Sequence, residues 1–194
     1  DEVGVILATA CGSLDRTLQF EFAARMGPGK ASAKDFPHTS MNSAAGHICT
    51  VLGLHGPMLS MSNGGVAGLS AVSFASDLIR YGHADRVLVT AIDQLSQEVM
   101  EIVRSMGYPV SASGARPFAS TGDGISPGCT AVTLVFEAEE AMAARDGRAY
   151  AELLHTSIAG MASGSRFDGE AWSRAYDEAT ERSGIDLHAQ GYVA

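Results

Sequence analysis

The stretch Ser60-Met61-Ser62-Asn63-Gly64-Gly65-Val66-Ala67-Gly68-Leu69 decides how the rest of the chain is interpreted. An apolar run ending at Met61 predicts a short strand, and the apolar segment 66–81 has the spacing of a helix. The Asn-Gly-Gly between them predicts a sharp turn, and we call residues 62–65 the elbow. A strand that turns tightly into a helix presents one residue at the helix N-terminus, where backbone N–H groups face an anion. Enzymes that form acyl intermediates often place a nucleophile there, but this chain has glycine.

Segments with strand and helix patterns alternate along the chain. The predicted strands cover residues 3–8, 58–61, 86–91, 129–137 and 149–158, and the predicted helices cover 14–26, 39–52, 66–81, 97–106, 138–145 and 170–182. This alternation predicts an α/β layered fold with a mostly parallel, mixed five-stranded sheet covered by helices. No linker divides the chain, so residues 1–194 predict a single domain with a sizeable core.

Composition and charge disfavour several classes of function. The net charge is −9 and the only lysines are Lys30 and Lys34, so no basic stripe predicts nucleic-acid binding. Apolar residues are dispersed, with no run of about 18 that would span a membrane. Three widely spaced cysteines favour a reduced, cytoplasmic setting. No His or Cys pair has metal-ligand spacing, so we expect neither a metal site nor a cofactor.

A series of motifs identifies a family resemblance. They are Met41-Asn42-Ser43-Ala44-Ala45-Gly46-His47-Ile48, Leu52-Gly53-Leu54-His55-Gly56-Pro57, Gly68-Leu69-Ser70-Ala71-Val72, Ile79-Arg80-Tyr81-Gly82-His83-Ala84-Asp85, and Ala115-Arg116-Pro117-Phe118 with Asp123-Gly124-Ile125 and Val135-Phe136-Glu137. In order and spacing they resemble the N-terminal half of a β-ketoacyl synthase, the condensing enzymes of fatty-acid and polyketide assembly. The resemblance covers nearly the whole chain and implies the N-terminal half of a thiolase-like fold.

The chain departs from the family pattern at the residues that carry chemistry. Aligned by its G-L end, the family's T-A-C-x-S-G-L motif places the nucleophilic cysteine on Gly65, which cannot accept an acyl group. The family's charged loop residues are replaced by Ala119, Gly122 and Cys129. The two histidines that assist condensation belong to the family's second half, and residues 192–194 resemble the segment before the first of them. The resemblance therefore implies that no residue of this chain is catalytic.

Two alternative nucleophiles remain open. The string Thr9-Ala10-Cys11-Gly12-Ser13-Leu14 nearly repeats the nucleophile motif and also lies between a strand and a helix. A Cys11 thiolate there would gain from the helix N-terminus, although in the family this turn is structural. Ser62, like Ser60, lies just before the predicted turn. An acyl transferase or hydrolase that uses Cys11 or Ser62 is therefore an alternative hypothesis, and a purely structural scaffold is another.

A ketosynthase-like chain without the nucleophile is similar to the chain-length factors, which are non-catalytic subunits that pair with an active ketosynthase. The resemblance implies a heterodimer with such a partner, or a homodimer, in which the strand before the elbow pairs antiparallel with its counterpart. Acyl carrier proteins are acidic, so a subunit of charge −9 would leave carrier binding mainly to its partner. An isolated half should also expose an apolar face and not be a stable monomer. The residues predicted to line the interface and acyl tunnel are Met58, Ser60, Met61, Ser62, Asn63, Leu69 and Phe74.

Some side chains carry more local predictions. His47 lies on a predicted small-residue helix and is a candidate to face the elbow, although a core histidine is the simpler interpretation. Asp93 follows a strand end and is predicted to cap the next helix. Glu137, Glu139 and Glu140 form an acidic cluster that predicts a solvated helix start.

Overall fold

A four-stranded mixed sheet organises the described part of the chain. The computed structural model describes residues 2–27, 29–116, 119, 123–160 and 169–185. The strands are β1 (Val3–Ala8), β2 (Met58–Met61), β3 (Arg86–Asp93) and β4 (Thr130–Glu137), in the order β2-β1-β3-β4. β1 pairs in parallel with β2 and β3, whereas β4 pairs antiparallel with β3. This architecture confirms the predicted α/β layered fold.

The helices lie close to their predicted positions. They are α1 (Leu14–Arg25), α2 (Ser43–Leu52), α3 (Ala67–Arg80), α4 (Gln97–Ser105), α5 (Glu139–Ala144) and α6 (Gly169–Ser183), with short 3-10 turns at Phe36–Thr39 and Gly64–Val66. None of the helices in the described ranges has both the length and the apolar character that a bilayer crossing demands.

β1 separates the two helical layers, because its successive side chains point to opposite faces. Ile6 and Ala8 belong to the core cluster that contains Ala71 and Ala75 of α3. Leu7 lies on the other face, towards α2, and is also buried. The continuous apolar run of β1 is therefore explained by burial on both faces.

α3 buries small residues against the sheet and leaves two of its large apolar residues exposed. Its buried residues are Ala67, Ser70, Ala71 and Ala75. Small side chains allow the helix axis to come close to the strands, as at Gly68, where an added Cβ would lie 3.5 Å from the Cβ of Ala91. Leu69 and Phe74 are exposed by 77% and 42%. α3 therefore leaves large apolar side chains uncovered in the described part of the chain.

The fifth predicted strand is not formed. Residues 149–158 have no regular secondary structure in the described chain. The Thr156 hydroxyl instead donates to Ser73 of α3 (2.9 Å), and the Ser157 hydroxyl donates to Glu178 of α6 (2.8 Å). The prediction of a five-stranded sheet is wrong for the described residues, because this segment is held by side-chain bonds to helices and not by a backbone ladder.

The structure also corrects where α2 begins and how α4 is capped. α2 begins after Asn42, because Thr39 belongs to a 3-10 turn. Ser13 does not cap α1; its hydroxyl donates to the Thr39 carbonyl at 2.7 Å. α4 is capped by Ser96, whose Oγ accepts from the Val99 N–H at 3.2 Å. The prediction that Asp93 caps α4 is therefore wrong, and Asp93 has a different role, described below.

Candidate functional site

The predicted elbow is present and is held by side chains on both sides. Gly64 has φ of +69°, the left-handed conformation that favours glycine, which explains the tight change of direction before α3. Asn63 Nδ2 donates to Ser70 Oγ at 2.8 Å, and Ser70 is buried. Ser62 Oγ donates to the Ala10 carbonyl at 3.2 Å. The elbow is thus fixed to α3 on one side and to the end of β1 on the other.

Gly65, which the motif resemblance predicts to stand at the family's nucleophile position, has no steric need to be glycine. Its φ lies outside the left-handed region, unlike that of Gly64. A Cβ built on Gly65 meets no atom within 4 Å. The backbone would therefore accept a larger residue at this position. The turn therefore does not require glycine at position 65, as it does at position 64.

The turn after β1 lies beside the elbow and is closed by Asp93. Asp93 Oδ1 accepts from Thr9 Oγ1 at 2.9 Å and from the Ala10 N–H at 2.8 Å. Thr9 Oγ1 in turn accepts from the Gly12 N–H at 2.9 Å. The Thr9 N–H donates to the Met61 carbonyl at 3.0 Å, so β1 and β2 remain paired up to the elbow.

This environment disfavours Cys11 as a nucleophile. Burial raises the pKa of the Cys11 thiol, and the nearby Asp93 charge raises that pKa further. The thiolate is the reactive form of cysteine, and reactive cysteines have lowered pKa values. The geometry of the turn therefore works against the helix N-terminus effect that made Cys11 a candidate.

The two serines near the elbow lack an activating base among the described residues. Ser62 donates its hydroxyl proton to a carbonyl, which is not a general base. Ser60 Oγ is buried and has no hydrogen-bond partner in the described part of the chain. A serine nucleophile requires an adjacent base to accept its proton. The described chain does not supply one at either serine.

A cleft of about 530 Å³ lies between α1, α2 and the carboxyl ends of β1 and β3. His38 and His47 line it together with Leu7, Met41 and Gln94. None of residues 58–69 belongs to its lining. The structure therefore places His47 on the α2 side of the sheet, at this cleft and not at the elbow. No group of His, Cys, Asp and Glu in the described ranges is arranged to hold a metal ion.

The residues predicted to line the interface and acyl tunnel divide between two faces of the sheet. Met61 packs against the core cluster of α3, the helix that also carries Leu69 and Phe74. Because strand side chains alternate, Met58 and Ser60 point to the α2 face. Met58 is 42% exposed on the edge strand of the described sheet. Val66 directly precedes α3 and is 57% exposed, as Leu69 is exposed three residues later. Val66 was not among the residues predicted to line the interface.

Glu137 is an ion-paired residue that the sequence interpretation missed. Its carboxylate accepts from Arg145 at 2.6 Å and from Arg86 at 2.5 Å, and its side chain is only 9% exposed. The hydrogen bonds from Arg145 and then Arg86 lower the pKa of Glu137 to about 2. The prediction of a solvated Glu137 is therefore wrong. Arg86 lies directly opposite Glu137 in the β3–β4 register, a cross-strand pair that sequence alone does not reveal.

Only some of the positions at which this chain replaces the family's charged loop residues lie in the described part of the chain. Cys129 is exposed, and its Sγ accepts from the Leu95 N–H at 3.2 Å. Ala119 is exposed as well. Pro117, Phe118, Gly122 and residues 192–194 lie outside the described residues.

Comparisons with known proteins agree with the motifs. The family model described as "Beta-ketoacyl synthase, N-terminal domain" matches residues 1–141. The 3-oxoacyl-[acyl-carrier-protein] synthase 2 of Vibrio cholerae is 27% identical over 202 residues, which cover 98% of this chain and 49% of the relative. The chain thus spans about half the length of the curated relatives it matches.

Solved structures show the same fold. A β-ketoacyl synthase from Burkholderia phymatum superposes with a TM-score of 0.85 at 21% identity, covering 97% of this chain and 48% of the other. The ishigamide ketosynthase/chain length factor superposes with a TM-score of 0.70 at 26% identity, covering 96% of this chain and 48% of the other. At 21% identity the first of these shows the fold alone.

Proposed function

This chain belongs to the β-ketoacyl synthase family, and from that premise we propose that it is a non-catalytic, ketosynthase-like subunit of the chain-length-factor type. It pairs with an active ketosynthase and shapes the acyl tunnel of that partner. The pathway class is polyketide, aryl-polyene or fatty-acid-type synthesis. Related proteins include a 3-oxoacyl-[acyl-carrier-protein] synthase 2 and a ketosynthase/chain length factor, which supports this range.

One observation supports the proposal: the elbow forms a tight strand-to-helix turn, and the residue that aligns with the family's nucleophile is Gly65. Ser62 and Asn63 both hold the turn through side-chain hydrogen bonds. Gly65 has room for a side chain and carries none. A preserved turn without its reactive atom supports a role that depends on shape. Such a role is completing a partner's tunnel.

The partner is proposed to bind along β2. This strand is at an edge of the described sheet, and an edge strand offers unpaired backbone groups to another chain. Met58 on β2 and Val66 and Leu69 at the start of α3 add exposed apolar surface near the same elbow. Pairing of β2 with a strand of an active ketosynthase would cover this surface. The charge of −9 supports the view that the acidic carrier protein is held mainly by the partner.

The test measures product length in a reconstituted pair. The chain is co-expressed with a ketosynthase that has an intact T-A-C-x-S motif, and the lengths of the acyl products are measured by mass spectrometry. Phe74→Trp and Leu69→Phe narrow the proposed tunnel, so shorter products are expected. Phe22→Trp is the matched control, because Phe22 is an exposed phenylalanine on α1, at 68% exposure.

The alternatives give different results. If the pair forms and Phe74→Trp leaves product length unchanged, the chain is a scaffold only. If an acyl-thioester mimic labels one residue of this chain, such as Cys11 or Ser62, the chain is an enzyme and the proposal fails. The raised pKa of Cys11 favours no labelling at that residue.

A further inference from the structure

Three strand ends meet at one edge of the sheet and are joined by hydrogen bonds. β1, β2 and β3 are parallel, so their carboxyl ends lie side by side. Asp93 at the end of β3 accepts two hydrogen bonds from Thr9 and Ala10 after β1. The Ala10 carbonyl then accepts from Ser62 after β2. We call these four residues the strand-end network.

Asp93 controls the orientation of the middle member of this network. A single oxygen, Oδ1, accepts from both the Thr9 hydroxyl and the Ala10 N–H. A carboxylate accepts hydrogen bonds only, and bonds to a charged acceptor are stronger than neutral ones. The two bonds fix the plane of the residues that follow β1. They therefore fix where the Ala10 carbonyl meets the Ser62 hydroxyl.

We propose that Asp93 is a positioning residue for the elbow. It acts through Ala10 and Ser62, and it sets the position of the turn between β2 and α3 that faces the partner. The expected effect on partner binding rests on the proposed function, because a displaced elbow would misplace β2 in the subunit interface. The carboxylate has no capping role that would compete with this one, since Ser96 caps α4.

The competing interpretation is that Asp93 only stabilises the fold. Glu137 is the control, because it is also a carboxylate that accepts hydrogen bonds from two residues, in its case Arg86 and Arg145. It pairs with Arg86 at the start of β3, whereas Asp93 ends the same strand. Loss of Glu137 removes a larger set of bonds, those from two arginines, at the opposite end of the sheet. If Asp93 only stabilises the fold, substitutions of Asp93 and of Glu137 should affect the elbow alike.

The first measurement needs no partner. Amide hydrogen exchange is followed at Ala67 in the full chain, because the Ala67 N–H donates to Gly64 within the elbow. Asp93→Ala is expected to speed this exchange about tenfold, the scale of losing charge-assisted bonds, and Glu137→Ala is expected to leave it unchanged. Asp93→Asn keeps an acceptor oxygen and is expected to stay within about threefold of the parent protein. Unchanged Ala67 exchange in Asp93→Ala, or an equal increase in Glu137→Ala, would overturn the inference.

Ser62→Ala tests the route through Ser62 and also serves if Asp93→Ala does not fold. Ser62 is exposed, so its substitution should be tolerated. Removal of its hydroxyl is expected to speed Ala67 exchange by several-fold while the Ala10 amide stays protected. If Ser62→Ala leaves Ala67 exchange at the parental rate, Asp93 does not act through Ser62 and the inference is wrong.

The second measurement is the affinity for an active ketosynthase. Asp93→Ala is expected to weaken binding about tenfold, with Asp93→Asn restoring it and Glu137→Ala near the parent protein. If no variant and no parent protein binds a ketosynthase, the proposed function fails, while the exchange results still decide the role of Asp93. If binding occurs and Asp93→Ala binds as the parent does, positioning for the partner is excluded.

Discussion

β1 and β4 have the same kind of sequence and opposite environments. Both are rich in apolar residues, VGVILA in β1 and TAVTLVFE in β4. β1 is buried along most of its length, whereas the first six residues of β4 are exposed. Val5 in β1 is fully buried and Val135 in β4 is 66% exposed. An apolar sequence thus favours burial of a strand on both faces. Whether the strand is buried depends on other elements that pack against it.

The exposed apolar residues of β4 indicate a surface that contacts another protein segment. A run without polar alternation is typical of strands that are buried on both faces. Val132, Leu134 and Val135 remain exposed, and Leu69 and Phe74 expose α3 as well. Large contiguous apolar surfaces mark interaction sites or aggregation liabilities. We therefore expect β4 and β1 to respond very differently to substitution.

The largest expected difference is in stability. Val5→Ala should lower the free energy of unfolding by about 2 kcal/mol, because it removes buried methyl groups and leaves a cavity. Val135→Ala should cost about 0.5 kcal/mol or less, because most of its surface is already in water. Urea denaturation of each variant and of the parent protein measures these changes in the free energy of unfolding. Equal losses would mean that β4 is covered in solution and that the contrast with β1 does not exist there.

The next effect concerns self-association. We expect the chain alone to elute from a sizing column as a species larger than a monomer, because its apolar faces are uncovered. Val135→Lys should weaken this association about tenfold, since a charge would have to be desolvated in the contact. Glu139→Lys is a control on α5 that changes charge by more without altering an apolar residue. A clean, cooperative monomer of the parent protein would contradict the prediction.

A smaller effect is expected from pH at the end of β4. The pKa of Glu137 is about 2 in the folded chain, against an ordinary value of 4.5. The unfolded chain therefore binds more protons between these values, so this contribution to stability is fully present above pH 4.5 and is lost as the pH falls towards 2. Urea midpoints of the parent protein should fall more steeply over that window than those of Glu137→Gln. Parallel curves for the two proteins would refute the assignment.

The smallest effect is at the carboxyl end of β1. The Asp93 charge contributes to the raised pKa of Cys11, so Asp93→Asn should lower that pKa and increase the thiolate fraction near neutral pH. Iodoacetamide should then modify Cys11 a few-fold faster, as followed by peptide mass spectrometry. Cys49 in the same sample is the internal control. A Cys11 rate that does not change, or that falls, would show that Asp93 does not act on the thiol.

Local pattern predicted much of this fold, and it failed where distant residues decide. The bounds of β1, β2 and the elbow follow from apolar runs and from the Asn-Gly-Gly turn, which are properties of neighbouring residues. Residues 149–158 also have a strand pattern, but they form no ladder in the described chain, and Thr156 and Ser157 instead donate to Ser73 of α3 and Glu178 of α6. A strand requires a neighbouring strand, and the sequence of one segment does not show whether that neighbour is available.

The candidate site divides in the same way. The absence of a nucleophile at Gly65 follows from the family motif alone. The roles of Asp93 and Glu137 do not, because each depends on partners across the sheet that become adjacent only when the strands pair. The opposed faces of Met58 and Met61 follow from strand alternation, a regularity that sequence reasoning was able to apply and did not.

The two glycines of the elbow should have different histories among close relatives of this chain. At position 64 the left-handed backbone penalises any other residue, so selection for the turn alone preserves glycine there. At position 65 the backbone imposes no such demand, and drift would introduce side chains freely. Variation at 65 beside constancy at 64 would mean that only the turn is under selection. Constancy at both would mean that the empty space at 65 is itself the inherited function.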